Sequence, residues 1–152
     1  MLTDYYDNYL TTSTGLARDS YDIGLRAFLS ANYGAQEAFS QSIEADPNFA
    51  LAYLGLTRAF MSSGQVPEAK AALVKAKNLL DGVTDREKSH FLCCELIFLG
   101  EAKKARAAVD SHVLEWPRDA MVAQMNTSVF GLIGFSGEVG REMDLLEYTK
   151  RL

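Results

Sequence analysis

Two cysteines and three prolines in 152 residues are the first constraint on this chain. The cysteines are adjacent, Cys93 and Cys94, which argues against a disulfide framework and suits a reducing compartment, so the expected location is the cytoplasm. No apolar run approaches the roughly 18–20 residues needed to cross a bilayer. Residues 1–10 carry Asp4, Asp7 and three tyrosines where a secretory leader would place a basic stretch and then an apolar one. Basic charge is also in short supply. Fifteen Lys and Arg against 20 Asp and Glu give a net charge of -5, which argues against a nucleic-acid or anionic-membrane surface. Alternating β-branched runs flanked by hairpin dipeptides are missing, so no sheet is expected.

Motifs of known chemistry are equally scarce. Gly131, Gly134, Gly137 and Gly140 recur every three residues, but a phosphate loop needs Gly-Lys followed by Ser or Thr, and a dinucleotide fingerprint needs a preceding strand. These glycines suit close helix packing and a hairpin turn instead. No Gly-x-Ser-x-Gly elbow accompanies the two histidines, and Glu44, Asp46, Glu68 and Glu95 read as surface carboxylates rather than an acid/base pair. His90 and Cys94 can share a helical face. With only His112 and Cys93 besides, a closed zinc shell would need groups from different helices and faces. Cys93 and His112 read as buried packing, and Trp116 as a staple before Pro117. No catalytic residue, metal or cofactor is assigned, and the chain is expected to be non-enzymatic.

What the chain does have is a repeat. Ala35, Phe39 and Ser42, then Ala69, Leu73 and Ala76, then Ala105, Val109 and His112, then Val139, Met143 and Leu146 keep the offsets 0, +4 and +7 of one helical face. Gly64, Gly100 and Gly134 each fall five residues before a leading position, where a turn between helices needs a permissive backbone. The pattern predicts helices near 14–30, 35–45, 48–62, 66–80, 84–99, 101–115, 118–133 and 137–149, after a short irregular or helical arm. Pro67 suits the first turn of its helix, and Thr84 with Glu87 has the spacing of a capping box.

The second unit carries a family resemblance. Tyr53, Leu56, Thr57 and Phe60 on the first helix, Gly64 at the turn, and Ala69, Leu73 and Ala76 on the second resemble the tetratricopeptide repeat. Pro47 and Pro117 close units as that repeat does, whereas Asp81 and Arg151 replace the proline elsewhere and Asn126 stands where leucine is expected. The stretch Leu10 to Leu25, the run Ala45 to Ala50 and the segment Phe130 to Gly137 are similar to the N-terminal half of bacterial tetratricopeptide repeat protein 38-like proteins. That resemblance implies more repeats after residue 152, and it carries no known reaction or catalytic residue; the lesser alternative to a scaffold or an assembly element is a small-molecule or enzyme site completed by those further residues. The fold it implies is all-α, a right-handed superhelical solenoid of about four hairpins forming one domain, with units near 14–47, 48–81, 84–117 and 118–152.

In this architecture the concave face, lined by the first helices, binds peptide or protein segments. Registering the repeat places Leu51, Leu54, Arg58 and Met61, then Glu87, His90, Cys94 and Ile97, then Gln124 and Ser128 along that groove. The alternative is that Leu51, Leu54 and Ile97 pack between repeats or under a segment folded into the groove. Arg58 alone does not make a carboxylate clamp, since its counterparts are Leu54, Glu87 and Gln124. Met143, Leu145, Leu146 and Tyr148 would leave an apolar end, suited to a further repeat or to a homodimer.

Overall fold

The computed structural model describes residues 1–128 and 130–152. Eight α-helices run through them: α1 (Gly15–Leu29), α2 (Ala35–Ala45), α3 (Ala50–Ser62), α4 (Val66–Lys77), α5 (Asp85–Phe98), α6 (Ala102–Glu115), α7 (Ala120–Thr127) and α8 (Arg141–Thr149). The fold is all-helical apart from two short strands, β1 (Leu2–Thr3) and β2 (Tyr9–Leu10), which pair antiparallel with Leu2 opposite Leu10. The arm is therefore a hairpin, where an irregular or helical segment was expected. No helix among the described residues is long and apolar enough to cross a membrane. The chain divides into two compact units, Met1–Phe91 and Leu92–Leu152, with the boundary inside α5.

In the first unit α2 packs on α1 and α3, and α3 on α4. Phe39 of α2 is the centre of this packing. It is fully buried and meets Tyr21 of α1 at 5.7 Å between ring centroids, while Tyr21 meets Phe49 at 5.2 Å. The ring needs room on both sides, and glycine supplies it: Gly24 of α1 and Gly55 of α3 both face Phe39. Ser42, one turn further along α2, donates its hydroxyl to the Ala17 carbonyl at 2.7 Å, so the one polar residue of that stripe is satisfied where it is buried.

The hairpin turns share one hydrogen-bond pattern. After α3, Gly64 N–H donates to Met61 O and Gln65 N–H to Phe60 O; after α5, Gly100 N–H donates to Ile97 O and Glu101 N–H to Leu96 O. Both are Schellman closures with glycine in the left-handed region, φ 75° and 73°. After α1 the same pair of bonds forms, Ala31 N–H to Phe28 O and Asn32 N–H to Ala27 O, but with Ala31 at φ 53°. The first hairpin therefore closes by the same device with a residue that strains there.

In the second unit α7 packs on α6 and α8 on α7. Here the sequence expectation needs correction. Helix α7 stops at Thr127 rather than near 133, because Ser128 turns extended at φ -65°, ψ 158° and the chain folds back. Gly131 N–H reaches Ser128 O at 2.7 Å and Leu132 N–H reaches Met125 O at 2.9 Å. A β-carbon on Gly131 would stand 2.8 Å from both the Asn126 and Ser128 carbonyl oxygens, so this turn requires glycine. Helix α8 then begins at Arg141 rather than near 137, with a left-handed glycine at Gly137, within the turn expected over 134–137, and another at Gly140 beyond it. Its buried residue is Tyr148, whose hydroxyl donates to the Ala123 carbonyl at 3.1 Å. Val139, Met143 and Leu146, matched to buried positions in the other units, are exposed. The 0, +4, +7 stripe fails in the fourth unit, where Val139 lies before α8 begins and the helix buries Tyr148 in place of Met143 and Leu146.

Candidate functional site

Thr84 and Glu87 form the expected capping box at the start of α5. Glu87 N–H donates to Thr84 Oγ1 at 3.2 Å, and Thr84 N–H donates to Glu87 Oε2 at 2.8 Å. The Thr84 hydroxyl also reaches Glu87 Oε2, at 3.0 Å. That leaves the other oxygen, Oε1, and the N-terminal arm takes it. Thr11 donates its backbone N–H at 3.1 Å and its hydroxyl at 2.9 Å to this one atom. With four donors on its carboxylate, Glu87 is 0% exposed. A buried carboxylate is tolerable on such terms.

Arg86 continues the clasp. It is 6% exposed and donates from Nη2 to the Tyr9 carbonyl at 2.9 Å. Asp46, at the C-cap of α2, accepts the Thr12 hydroxyl on Oδ2 at 2.5 Å and Asn48 N–H on Oδ1 at 3.0 Å. Leu10, between the residues whose backbone is gripped, is buried. The segment from Tyr9 to Thr12 is thus held through one carbonyl, one N–H and two hydroxyls, by side chains from two helix ends.

The rest of the arm is built around Asp4. Its Oδ1 accepts N–H groups from Tyr6 and Asn8, each at 2.9 Å, and both carboxylate oxygens accept the Asn8 amide at 3.1 Å. Asp7 closes the turn at φ 62°, a conformation that aspartate tolerates better than most residues. Burial raises the Asp4 pKa above the ordinary aspartate value, with the Asn8 hydrogen bonds and the Arg86 charge pulling it back only in part. On α1, Asp22 accepts Tyr5 N–H at 2.9 Å and is likewise raised by burial, while the Arg26 guanidinium lies 5.0 Å from the Tyr5 ring centre. An open depression lined by Tyr5, Tyr6, Ile23, Arg26 and Asn32 lies beside this contact.

The sequence-derived groove residues divide by burial. In the first unit Leu51, Leu54, Glu87 and His90 are buried, while Arg58 and Met61 are half-buried. Arg58 stacks over the Phe28 ring at 4.8 Å. In the second unit Cys94 is buried, and Ile97, Gln124 and Ser128 are half-buried. Of the residues assigned to self-association, Met143 and Leu146 are exposed, Leu145 is half-buried and Tyr148 is buried. His112 is a core histidine, with Nε2 at 3.3 Å from Asp119 Oδ2 and its ring at 4.9 Å from Trp116. Asp119 also caps α7 through Val122 N–H. Among the described residues no three His, Cys, Asp or Glu side chains converge as a ligand set.

Arg86, Thr11 and Thr12 were missed by the sequence reading, and Asp46 was read as a surface carboxylate. At this place the sequence marks Glu87, as a local cap and as a groove residue, and neither mark points to the arm. Comparisons with protein-family models, with curated proteins and with solved structures find no match to this chain.

Proposed function

We propose that this chain is a non-enzymatic scaffold of the tetratricopeptide-repeat type, a right-handed superhelical solenoid whose hairpins offer a surface to an extended peptide or protein partner in the cytoplasm. The observation that supports this most is periodic burial. Ala35, Phe39 and Ser42, then Ala69, Leu73 and Ala76, then Ala105, Val109 and His112 are all buried, each set on the second helix of a hairpin. Units that repeat a stripe in this way bury it by stacking, and the faces left over are the ones that bind. The reading needs no cofactor, metal, nucleic acid or membrane.

Selection of a random peptide library on the full chain tests it, with the selected peptide mapped by chemical-shift perturbation. Shifts at the half-buried Arg58 and Met61 of the first unit, or at Ile97, Gln124 and Ser128 of the second, would support the scaffold. A chain that enriches no sequence would sink it. A second reading, self-association, is favoured by Met143 at 60% and Leu146 at 47% exposure on the outer face of α8. Sedimentation of the native chain beside Leu146→Glu decides that reading, since a native chain that stays monomeric at high concentration discards it.

A further inference from the structure

Nothing in the fold obliges a terminal arm to be fastened by charge. Most of a small protein's packing is apolar, and the ordinary way to hold a hairpin against helices is to bury its aliphatic side chains. Here, beside the buried Leu10 and the Tyr5 contacts on α1, the fastening includes the nearly inaccessible Arg86 and Glu87 with the half-buried Asp46, aimed at the backbone carbonyl of Tyr9, the N–H of Thr11 and the hydroxyls of Thr11 and Thr12. Main-chain groups plus one buried apolar side chain, Leu10, are what an extended peptide presents to a receptor.

We infer that Asp46, Arg86 and Glu87 form a peptide-binding site that the arm occupies from within, and that its ligand class is an extended segment with an apolar residue followed by two hydroxyl residues. The inference rests on the scaffold reading and names where on it a peptide sits. Geometry sets the selectivity. Arg86 and Glu87 grip a carbonyl and an N–H two residues apart, so the ligand runs in one direction and in one register, with the residue between them buried. A hydroxyl on the second gripped residue shares Glu87 Oε1 with its own N–H, and the next hydroxyl meets Asp46.

Departure of the arm exposes Leu10 and takes the Tyr9 carbonyl from Arg86, but it leaves the two carboxylates with partners. Glu87 keeps both bonds from Thr84, and water can replace the two from Thr11. Asp46 keeps Asn48 N–H. A tethered arm competes at an effective concentration in the millimolar range, so a partner must bind more tightly than the arm or arrive when the arm is displaced.

The test uses the full chain and a fluorescent peptide spanning Thr3 to Ser13, read by anisotropy. A chain carrying Leu10→Asp and Thr11→Pro loses the arm's buried side chain and its gripped N–H. It should bind the peptide saturably and at least about tenfold more tightly than the native chain does, because its own arm no longer competes. Methylation of the peptide nitrogen at Thr11 removes the donor to Glu87 and should weaken binding by about tenfold or more, a charge-assisted bond being lost. Equal binding of the methylated and unmodified peptides would overturn the inference, as would no binding by a released chain of native helicity. A released chain that loses its helical circular dichroism would show the arm to be part of the core, which also overturns it. Library-selected peptides that bind native and released chains equally would leave the scaffold standing and remove this site from it.

Discussion

A β-carbon on Gly24 would stand 2.7 Å from Cδ1 of Phe39. Gly55 faces the same ring from α3, so two glycines on different helices set the size of the aromatic that joins them. Gly24→Ala and Gly55→Ala should each destabilise the chain by about 1–3 kcal/mol, as overpacking does. Urea unfolding of the single variants, and of each combined with Phe39→Leu, checks this. The smaller side chain should recover part of the loss, and purely additive effects would show that ring and glycines do not meet.

Ala31→Gly should stabilise the protein. Ala31 takes the left-handed role that Gly64 and Gly100 fill in the corresponding turns. Relief of that strain outweighs the extra freedom of glycine in the unfolded chain, for a net gain of about 0.5–1 kcal/mol. The reverse change, Gly64→Ala, should cost about 1 kcal/mol. Thermal unfolding of the two variants should move the midpoint in opposite directions.

Docking of the arm should weaken as pH rises through the Asp4 titration. Burial lifts this pKa above its unfolded value, so the contribution of Asp4 is fully present below the ordinary aspartate value and is lost as pH climbs through the raised one. Asp22 is displaced in the same direction by burial and acts with it. Hydrogen-exchange protection of the Tyr6 and Asn8 amides, corrected for intrinsic rates, reads the opening directly. Asp4→Asn should flatten the profile, and Asp4→Asn with Asp22→Asn should flatten it further.

At the other end of the pH scale, Tyr148 governs α8. Burial pushes its phenol far above the usual tyrosine value, with the nearby Asp110 charge adding to the shift. The neutral form favours the folded unit. Its contribution is whole below the unfolded tyrosine pKa of about 10 and fades as pH rises beyond that. Tyr148→Phe should cost about 1 kcal/mol at neutral pH through loss of the bond to Ala123 O, and it should remove this part of the alkaline loss. Unfolding midpoints of the two proteins at neutral and alkaline pH test both effects.

Local chemistry made most of the helices legible. The 0, +4, +7 stripes set α2, α4 and α6, the capping box set the start of α5, and Gly64 and Gly100 set two turns, each a signal contained within a few residues. The fourth unit broke the pattern because helix competed with glycine at 131, 134, 137 and 140, and the backbone turn at Gly131 prevailed. The arm was illegible for a different reason. Thr11 and Glu87 are 76 positions apart, and neither carries a mark that the other is its partner. A repeat register likewise gives the side of a helix and not what lies over it. Glu87 was placed on that side, and the structure puts Thr11 against it.

The distances between the arm and its anchors along the chain also fix an order of events during synthesis. Tyr5 meets Asp22 first, Thr12 meets Asp46 after 34 residues, and Thr11 waits 76 residues for Glu87. At a translation rate of about 5–20 residues per second, the last clasp closes roughly 4–15 s after Thr11 is made. For that interval a nascent chain carries the Thr11 N–H and hydroxyl without their Glu87 acceptor, even after Thr12 has met Asp46.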